Sequence, residues 1–296
     1  LHARAARPNL FIKIPGTAAG LPAIEEAIFA GVPVNVTLLF SAAQVLAAAD
    51  AWLRGIERRI AAGLPAVVAS VASLFVSRWD VAVAPHVPAD LHLKLGIAVG
   101  HQSLAAYNAW QASPRVKRAM NFGAPPQRLL FASTGMKDPQ ASPTRYVEAL
   151  AAPFTIDTIP EATLHALAER GRIEGAAPAD GGDCEAVLAA HRAAGIDLDA
   201  LAARLQTDGL PRYEQRFMQL LREQSDQNLT LLSSKIDQER SAIRQRMELV
   251  NESLLTAPFN PGTHLVIDTL PREGDEVRQF KQTLRDALSH SLSSQG

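Results

Sequence analysis

Lys13 lies in the apolar run LFIKIP, flanked by Phe11, Ile12, Ile14 and Pro15. An ammonium inside a buried strand loses its hydration, so it must be paired or shed its proton. Desolvation lowers a lysine pKa, and a neutral amine near physiological pH attacks a carbonyl to form a Schiff base, an electron sink for carbon-carbon cleavage. The same lysine at a strand end could instead pair with a carboxylate or extend its ammonium to water. Position alone leaves both readings open. Further along, Asn35 and Thr37 in VPVNVTLLF, Ser73 and Arg78 in VASVASLFVSRWD, and Ser133 and Lys137 in RLLFASTGMK place an amide, hydroxyls and cations at the ends of apolar runs. A guanidinium fork is the side chain best shaped for a phosphate. Asn35 and Thr37 suit substrate hydroxyls and, equally, ordinary strand-end caps.

These residues need elements to carry them. LFIKI (10 to 14), VPVNVTLLF (32 to 40), VVASVASLF (67 to 75), RLLFAS (128 to 133) and FTIDTI (154 to 159) read as five strands buried on both faces. Between them AGLPAIEEAIFAG, SAAQVLAAADAWLRGIERRIAAG, LKLGIAVGHQSLAAYNAWQAS and SPTRYVEALAAP have helical apolar spacing. Alternating strand and helix implies parallel strands joined by right-handed crossovers, in a barrel or a doubly wound sheet. Polar residues gathered at the C-terminal ends of several strands favour the (β/α)8 barrel, and an incomplete one of about five βα units is expected here. No G-x-G-x-x-G follows the first strand and no G-x-x-x-x-G-K-[ST] occurs, which argues against nucleotide binding.

The 296 residues are 47% hydrophobic, with 29 Lys and Arg against 30 Asp and Glu, a formal charge of -1. No net field draws the chain to nucleic acid or to an anionic membrane. The single cysteine, Cys184, cannot form an internal disulfide, and no run of about 18 uncharged apolar residues occurs. A cytoplasmic location is expected. The opening LHARAARPNLFIKI has neither an initiator Met nor a signal-peptide pattern and reads like the interior of a longer protein. Residues 1 to 207 hold 18 basic and 17 acidic side chains, whereas the remaining 89 hold 11 and 13. This shift predicts a compact unit over 1–207, a charged long helix over 208–257, and a short strand plus a C-terminal helix over 258–296. Leu229, Leu232, Ile236, Ile243, Met247, Val250 and Leu254 form a coiled-coil stripe, stopped by Pro258, Asn260, Pro261 and Gly262.

The segments NLFIKIPGTAAGLPAIEEAIFAGVPVNVTLLFSAAQ, VASVASLFVSRWD, PQRLLFASTGMKDP and YVEALAAPFTIDTIPEATL resemble, in this order, the bacterial form of the transaldolase family. The resemblance covers about 190 residues. It implies a (β/α)8 barrel that moves a dihydroxyacetone unit between sugar phosphates in the pentose phosphate pathway, without metal or organic cofactor. Lys13 then matches the Schiff-base lysine and Thr37 the hydroxyl that helps place the catalytic water. Asn35 matches the amide on substrate hydroxyls, and Ser73, Phe75 and Arg78 the S-x-F-x-x-R pattern, with serine on a substrate hydroxyl and arginine on phosphate. Ser133 and Lys137 fall where the family completes its phosphate site.

The resemblance also implies a proton shuttle, an Asp ending the first strand and a Glu ending the third, both upstream of the lysine strand. About ten residues precede that strand here, so strands one to three are expected to be missing. The alternatives are therefore a catalytically silent fusion or fragment that assembles through its C-terminal helix, or a Schiff-base aldolase finishing on water. HLVIDTLPREGDE (264 to 276) superficially matches a first strand ending in Asp268, yet FNPGTHLVI and EVRQFKQTLRDAL are more similar to the returning coiled coil of condensin-like ATPases. Partners implied are sugar phosphates and another copy of the chain, with neither membrane nor nucleic acid for the barrel part. His86 and His92 lack a third metal ligand, Cys184 sits beside Asp183 and Glu185, and Trp52, Trp79 and Trp110 read as core.

Overall fold

The computed structural model describes residues 2–5, 7, 9–256, 260, 263–268 and 274–293. The chain forms two compact units, Leu1–Pro211 and Arg212–Gly296. In the first, a short helix α1 (His2–Ala5) precedes β1 (Ile12–Pro15), α2 (Gly20–Phe29), β2 (Val34–Leu39), α3 (Ala42–Ala61), β3 (Ser70–Phe75), α4 (Ser77–Val83), α5 (Leu95–Gln111), α6 (Pro114–Asn121) and β4 (Arg128–Ala132). After these come α7 (Arg145–Leu150), β5 (Ile156–Asp157), α8 (Glu161–Arg170), α9 (Cys184–Ala193) and the start of α10 (Leu198–Thr256). The five strands are parallel and lie in the order β1-β2-β3-β4-β5. Sequential order without reversal is the geometry of a barrel wall and has no topological switch point.

All five strands expected from the apolar runs form, and the four helical segments between them become α2, α3, α5 and α7. Burial on both faces is the exception. Val34, Val36, Leu39, Leu74, Leu129 and Phe131 are fully covered on the helix side, but β1 is half-buried and Lys13 itself is exposed. The reason is topological: among the described residues β1 pairs only with β2, so one side of the lysine strand carries no neighbour. On the opposite face of the sheet, Val71, Leu130 and Ala132 form a small cluster with Phe11, Phe75 and Ile156 packed on it. That face carries the odd-numbered positions of β1 to β3, because side chains alternate along a strand.

The helices are placed by specific contacts. Ser41 Oγ accepts from the Gln44 amide at 3.2 Å while Gln44 Oε1 accepts from the Phe40 amide at 2.7 Å, a reciprocal cap that starts α3 directly at the end of β2. A Cβ on Gly55 would stand 2.7 Å from Ile28 Cβ and from the Glu25 carbonyl, so a glycine here lets α3 cross α2 closely. Asp80 in α4 is 2% exposed and accepts from the Leu95 and Gly96 amides at 3.0 and 3.2 Å and from the Tyr146 hydroxyl at 2.8 Å. It caps the N-terminus of α5 and ties α4 to α7. Burial pushes its carboxyl up, and these three donors oppose that.

In the second unit α10 continues to Thr256, with Leu232, Ile243 and Val250 of the apolar stripe exposed, and α11 (Asp275–Ser293) follows. His264 to Asp268 are exposed and belong to no sheet, so the strand expected there is not formed over its described part. The backbone of Ile267 is instead held by the Asn251 side chain, whose Oδ1 accepts from the Ile267 amide at 2.7 Å and whose Nδ2 donates to the Ile267 carbonyl at 2.9 Å. Pro258, Pro261 and Gly262, the expected helix stop, lie outside the described residues, though α10 ends at Thr256. No helix among the described residues is long and apolar enough to cross a membrane.

Candidate active site

The register of the sheet brings together most of the residues singled out by the sequence. Lys13 stands opposite Asn35 across the β1–β2 ladder. Asn35 Oδ1 accepts from Ser73 Oγ at 2.7 Å, which engages its amide oxygen. Ser73 is 3% exposed. Lys13, Asn35 and Ser73 thus form a polar row on three adjacent strands, on the face that holds Phe11, Phe75 and Val71. Although the Lys13 side chain is accessible, its surroundings hold the ammonium below its usual pKa of 10.5 by desolvation. Accessibility and a depressed pKa are compatible, because an amine loses part of its hydration wherever neighbouring atoms replace water, even when the side chain as a whole still reaches solvent.

Thr37 lies two residues beyond Asn35, 1% exposed, with a buried Oγ1 that has no hydrogen-bond partner among the described residues. A buried hydroxyl without a partner costs free energy unless something outside the chain, such as water or substrate, satisfies it. Between Val36 and Leu39 the β2–β3 register slips, and Leu38 adopts a left-handed conformation at φ 60°. The bulge re-aims the strand end at this point.

The helix that follows β3 supplies the cation. Arg78 sits in the first turn of α4, with its guanidinium 5.0 Å from the centroid of the Phe75 ring and 6.0 Å from that of Phe40. The two rings lie 5.5 Å apart. Stacking on aromatic faces orients the planar fork at little hydration cost. Ser133 follows β4 at φ 57°, and its Oγ lies 2.9 Å from Ser77 Oγ, next to Arg78 in the chain. The Ser77 amide also donates to the Ser133 carbonyl at 3.1 Å. Lys137 is exposed in the loop after β4, and among the described residues no polar contact joins it to Ser133 or Arg78.

Ser77 and Asp80 escaped the sequence reading. The signal for both was their place in SRWD, where a hydroxyl and a carboxylate flank the arginine. Asp157 on β5 was also passed over; desolvation pushes its carboxyl up to about 6, and its Oδ1 lacks a hydrogen-bond partner among the described residues. Strand alternation puts it opposite Ile156, away from the face carrying Lys13, so it does not face the lysine row. Asp268, compared above with a first-strand acid, lies in the second unit and in no sheet. Cys184 is buried, and desolvation followed by the neighbouring Glu185 raises its thiol pKa, the reverse of what a nucleophile needs. The described residues contain no cluster of three potential metal ligands.

Residues 1–224 match the family described as Transaldolase/Fructose-6-phosphate aldolase. The chain is similar to proteins named transaldolase from Saccharopolyspora erythraea, 43% identical over 231 residues, and from Neisseria gonorrhoeae, 42% identical over 225 residues. In each case the match covers 75% of this chain and 63% of the relative. The relative of that name from Frankia alni is 44% identical over 225 residues, covering 73% of this chain and 60% of its own length. The chain therefore spans somewhat under two thirds of the length of these relatives.

Proposed function

The chain belongs to the transaldolase/fructose-6-phosphate aldolase family, and on that footing we propose that it transfers a dihydroxyacetone unit between sugar phosphates through a Schiff base on Lys13. The observation that carries the reading is the row Lys13, Asn35 and Ser73 on three neighbouring strands, with the ammonium held below its usual pKa. In this reading the neutral amine adds to the C2 carbonyl of a ketose phosphate and expels water. The resulting iminium accepts the electron pair released when the C3–C4 bond breaks. The enamine then adds to an acceptor aldehyde, and hydrolysis frees Lys13. Asn35 holds the substrate hydroxyls of the three-carbon unit, Ser73 fixes that amide, and Thr37 places the water of the hydrolytic steps. Arg78, oriented by Phe75 and backed by the Ser77–Ser133 pair, takes the phosphate, with Lys137 as a second cation.

Borohydride reduction in the presence of fructose 6-phosphate, followed by peptide mass mapping, tests the proposal. A reduced three-carbon or hexose adduct on Lys13 is the expected result, and an unmodified Lys13 would sink it. Product release without an acceptor aldehyde would identify an aldolase in place of a transferase. For the second unit, a specific observation favours self-association as a coiled coil: Leu232, Ile243 and Val250 stand exposed along one stripe of α10. Sedimentation equilibrium should show association that Ile243→Glu weakens; a monomer at all concentrations removes this reading. The stretch reading as condensin-like is assigned to the same assembly role.

A further inference from the structure

One turn of α10, within the first unit, reaches back to the two strands that carry Lys13 and Thr37. Gln206 Nε2 donates to the Gly16 carbonyl at 3.1 Å and to the Leu38 carbonyl at 2.9 Å, so both hydrogens of one amide are used. Gly16 follows β1 directly, and its own amide donates to the Thr37 carbonyl at 2.8 Å. Leu38 is the left-handed residue of the β2 bulge, a conformation costing about 1 kcal/mol or more for a side chain other than glycine. Such a conformation persists where its surroundings enforce it, and here the Leu38 carbonyl is bonded by a glutamine 168 residues further along the chain.

Three residues on, on the same face of the helix, Gly209 is buried. A Cβ at this position would stand 2.9 Å from Leu38 Cδ2 and 3.1 Å from Arg78 Nη1. The Leu38 side chain and the guanidinium of Arg78 therefore occupy the space that any other residue would fill. The turn is itself anchored, since Leu201, Ala202 and Leu205 are buried.

We infer that Gln206 and Gly209 are positioning residues. Gln206 clamps the exit of β1 to the β2 bulge and thereby fixes the aim of Thr37, and Gly209 shapes the seat of the Arg78 guanidinium. The assignment rests on the proposed roles of Thr37 and Arg78, while the clamp itself can be read independently of them.

Gln206→Glu keeps the side-chain length but sets a carboxylate against two carbonyl oxygens. In the full chain, amide hydrogen exchange over residues 36–40 is expected to quicken about tenfold or more, with exchange over 45–56 unchanged, because only the bulge is released. The rate of borohydride-trapped adduct formation at saturating fructose 6-phosphate should fall about 10- to 100-fold, as expected when a reacting group is misplaced by about an ångström. Its half-saturating concentration should stay within about twofold, a split that a general loss of folded protein would not produce. Gly209→Ala is expected to raise the half-saturating concentration of fructose 6-phosphate about tenfold while trapping with unphosphorylated dihydroxyacetone is unchanged. This variant carries the test if Gln206→Glu does not fold. Parent-like exchange over 36–40 in Gln206→Glu would overturn the clamp, and an equal effect of Gly209→Ala on both donors would overturn the seat. If the parent chain traps no sugar, the sugar-phosphate reading falls, whereas the exchange measurement still decides the clamp.

Discussion

Lys13→Met is expected to abolish borohydride trapping and to lower sugar-phosphate turnover by a factor on the order of 10⁴ or more, since the covalent route has no other amine in the row. Methionine retains an unbranched stem of similar length, and the site is exposed on a strand that among the described residues pairs on one side only. Stability should therefore change by no more than about 0.5 kcal/mol. This separates a chemical role from a structural one: loss of the adduct at unchanged melting temperature supports the nucleophile, and residual trapping in the variant would move it elsewhere. The pH dependence follows from the sign of the shift. Only the neutral amine attacks, and desolvation places the folded pKa below 10.5. Initial trapping rates should rise with pH and level off below that value. A rate still climbing through 10.5 would mean that the amine is fully hydrated.

The second large effect is on stability. Trp79→Ala should cost about 3 to 5 kcal/mol, the range for truncating a large aromatic in a packed core. Trp79 is 1% exposed, and its indole Nε1 donates to the Phe40 carbonyl at 2.9 Å. Truncation thus leaves both a cavity and an unpaired carbonyl. Trp79→Phe should lose less, because the ring volume is largely kept while the hydrogen bond is not. Urea unfolding followed by circular dichroism checks both, and a cost below about 1 kcal/mol for the alanine variant would contradict the packing described. Trp79 also neighbours Arg78, and Phe40 forms one wall of the arginine seat. The alanine variant is accordingly expected to weaken phosphate-dependent binding under conditions where it remains folded.

Much of the fold was legible because apolar periodicity is local. The run VNVTLL and the spacing in AAQVLAAADAWLRGIERRIA become β2 and α3, and the Ser41 to Gln44 cap is written in four consecutive residues. Strand ends were less legible: FTIDTI reads as six residues, yet only Ile156–Asp157 pair with β4. Propensity does not reveal how far a neighbouring strand extends. Burial of β1 was overestimated for the same reason. An apolar run registers its hydrophobicity but not whether a strand lies on its other side.

By itself the sequence determined the residue types at the strand ends and the order of the parallel units, because both follow from nearest-neighbour pattern and from the spacing of polar groups after apolar runs. It also carried the family resemblance that put Lys13 in a chemical role. The tertiary structure alone decided which of these groups meet. Pairing Lys13 with Asn35 and bonding Asn35 to Ser73 depends on sheet register, while excluding Asp157 from that row depends on strand alternation. Binding Gln206 to Gly16 and Leu38 depends on a helix folding back across more than half the chain. A contact between residues 168 and 190 positions apart leaves no trace in local periodicity, since it exists only when the intervening strands and helices have packed.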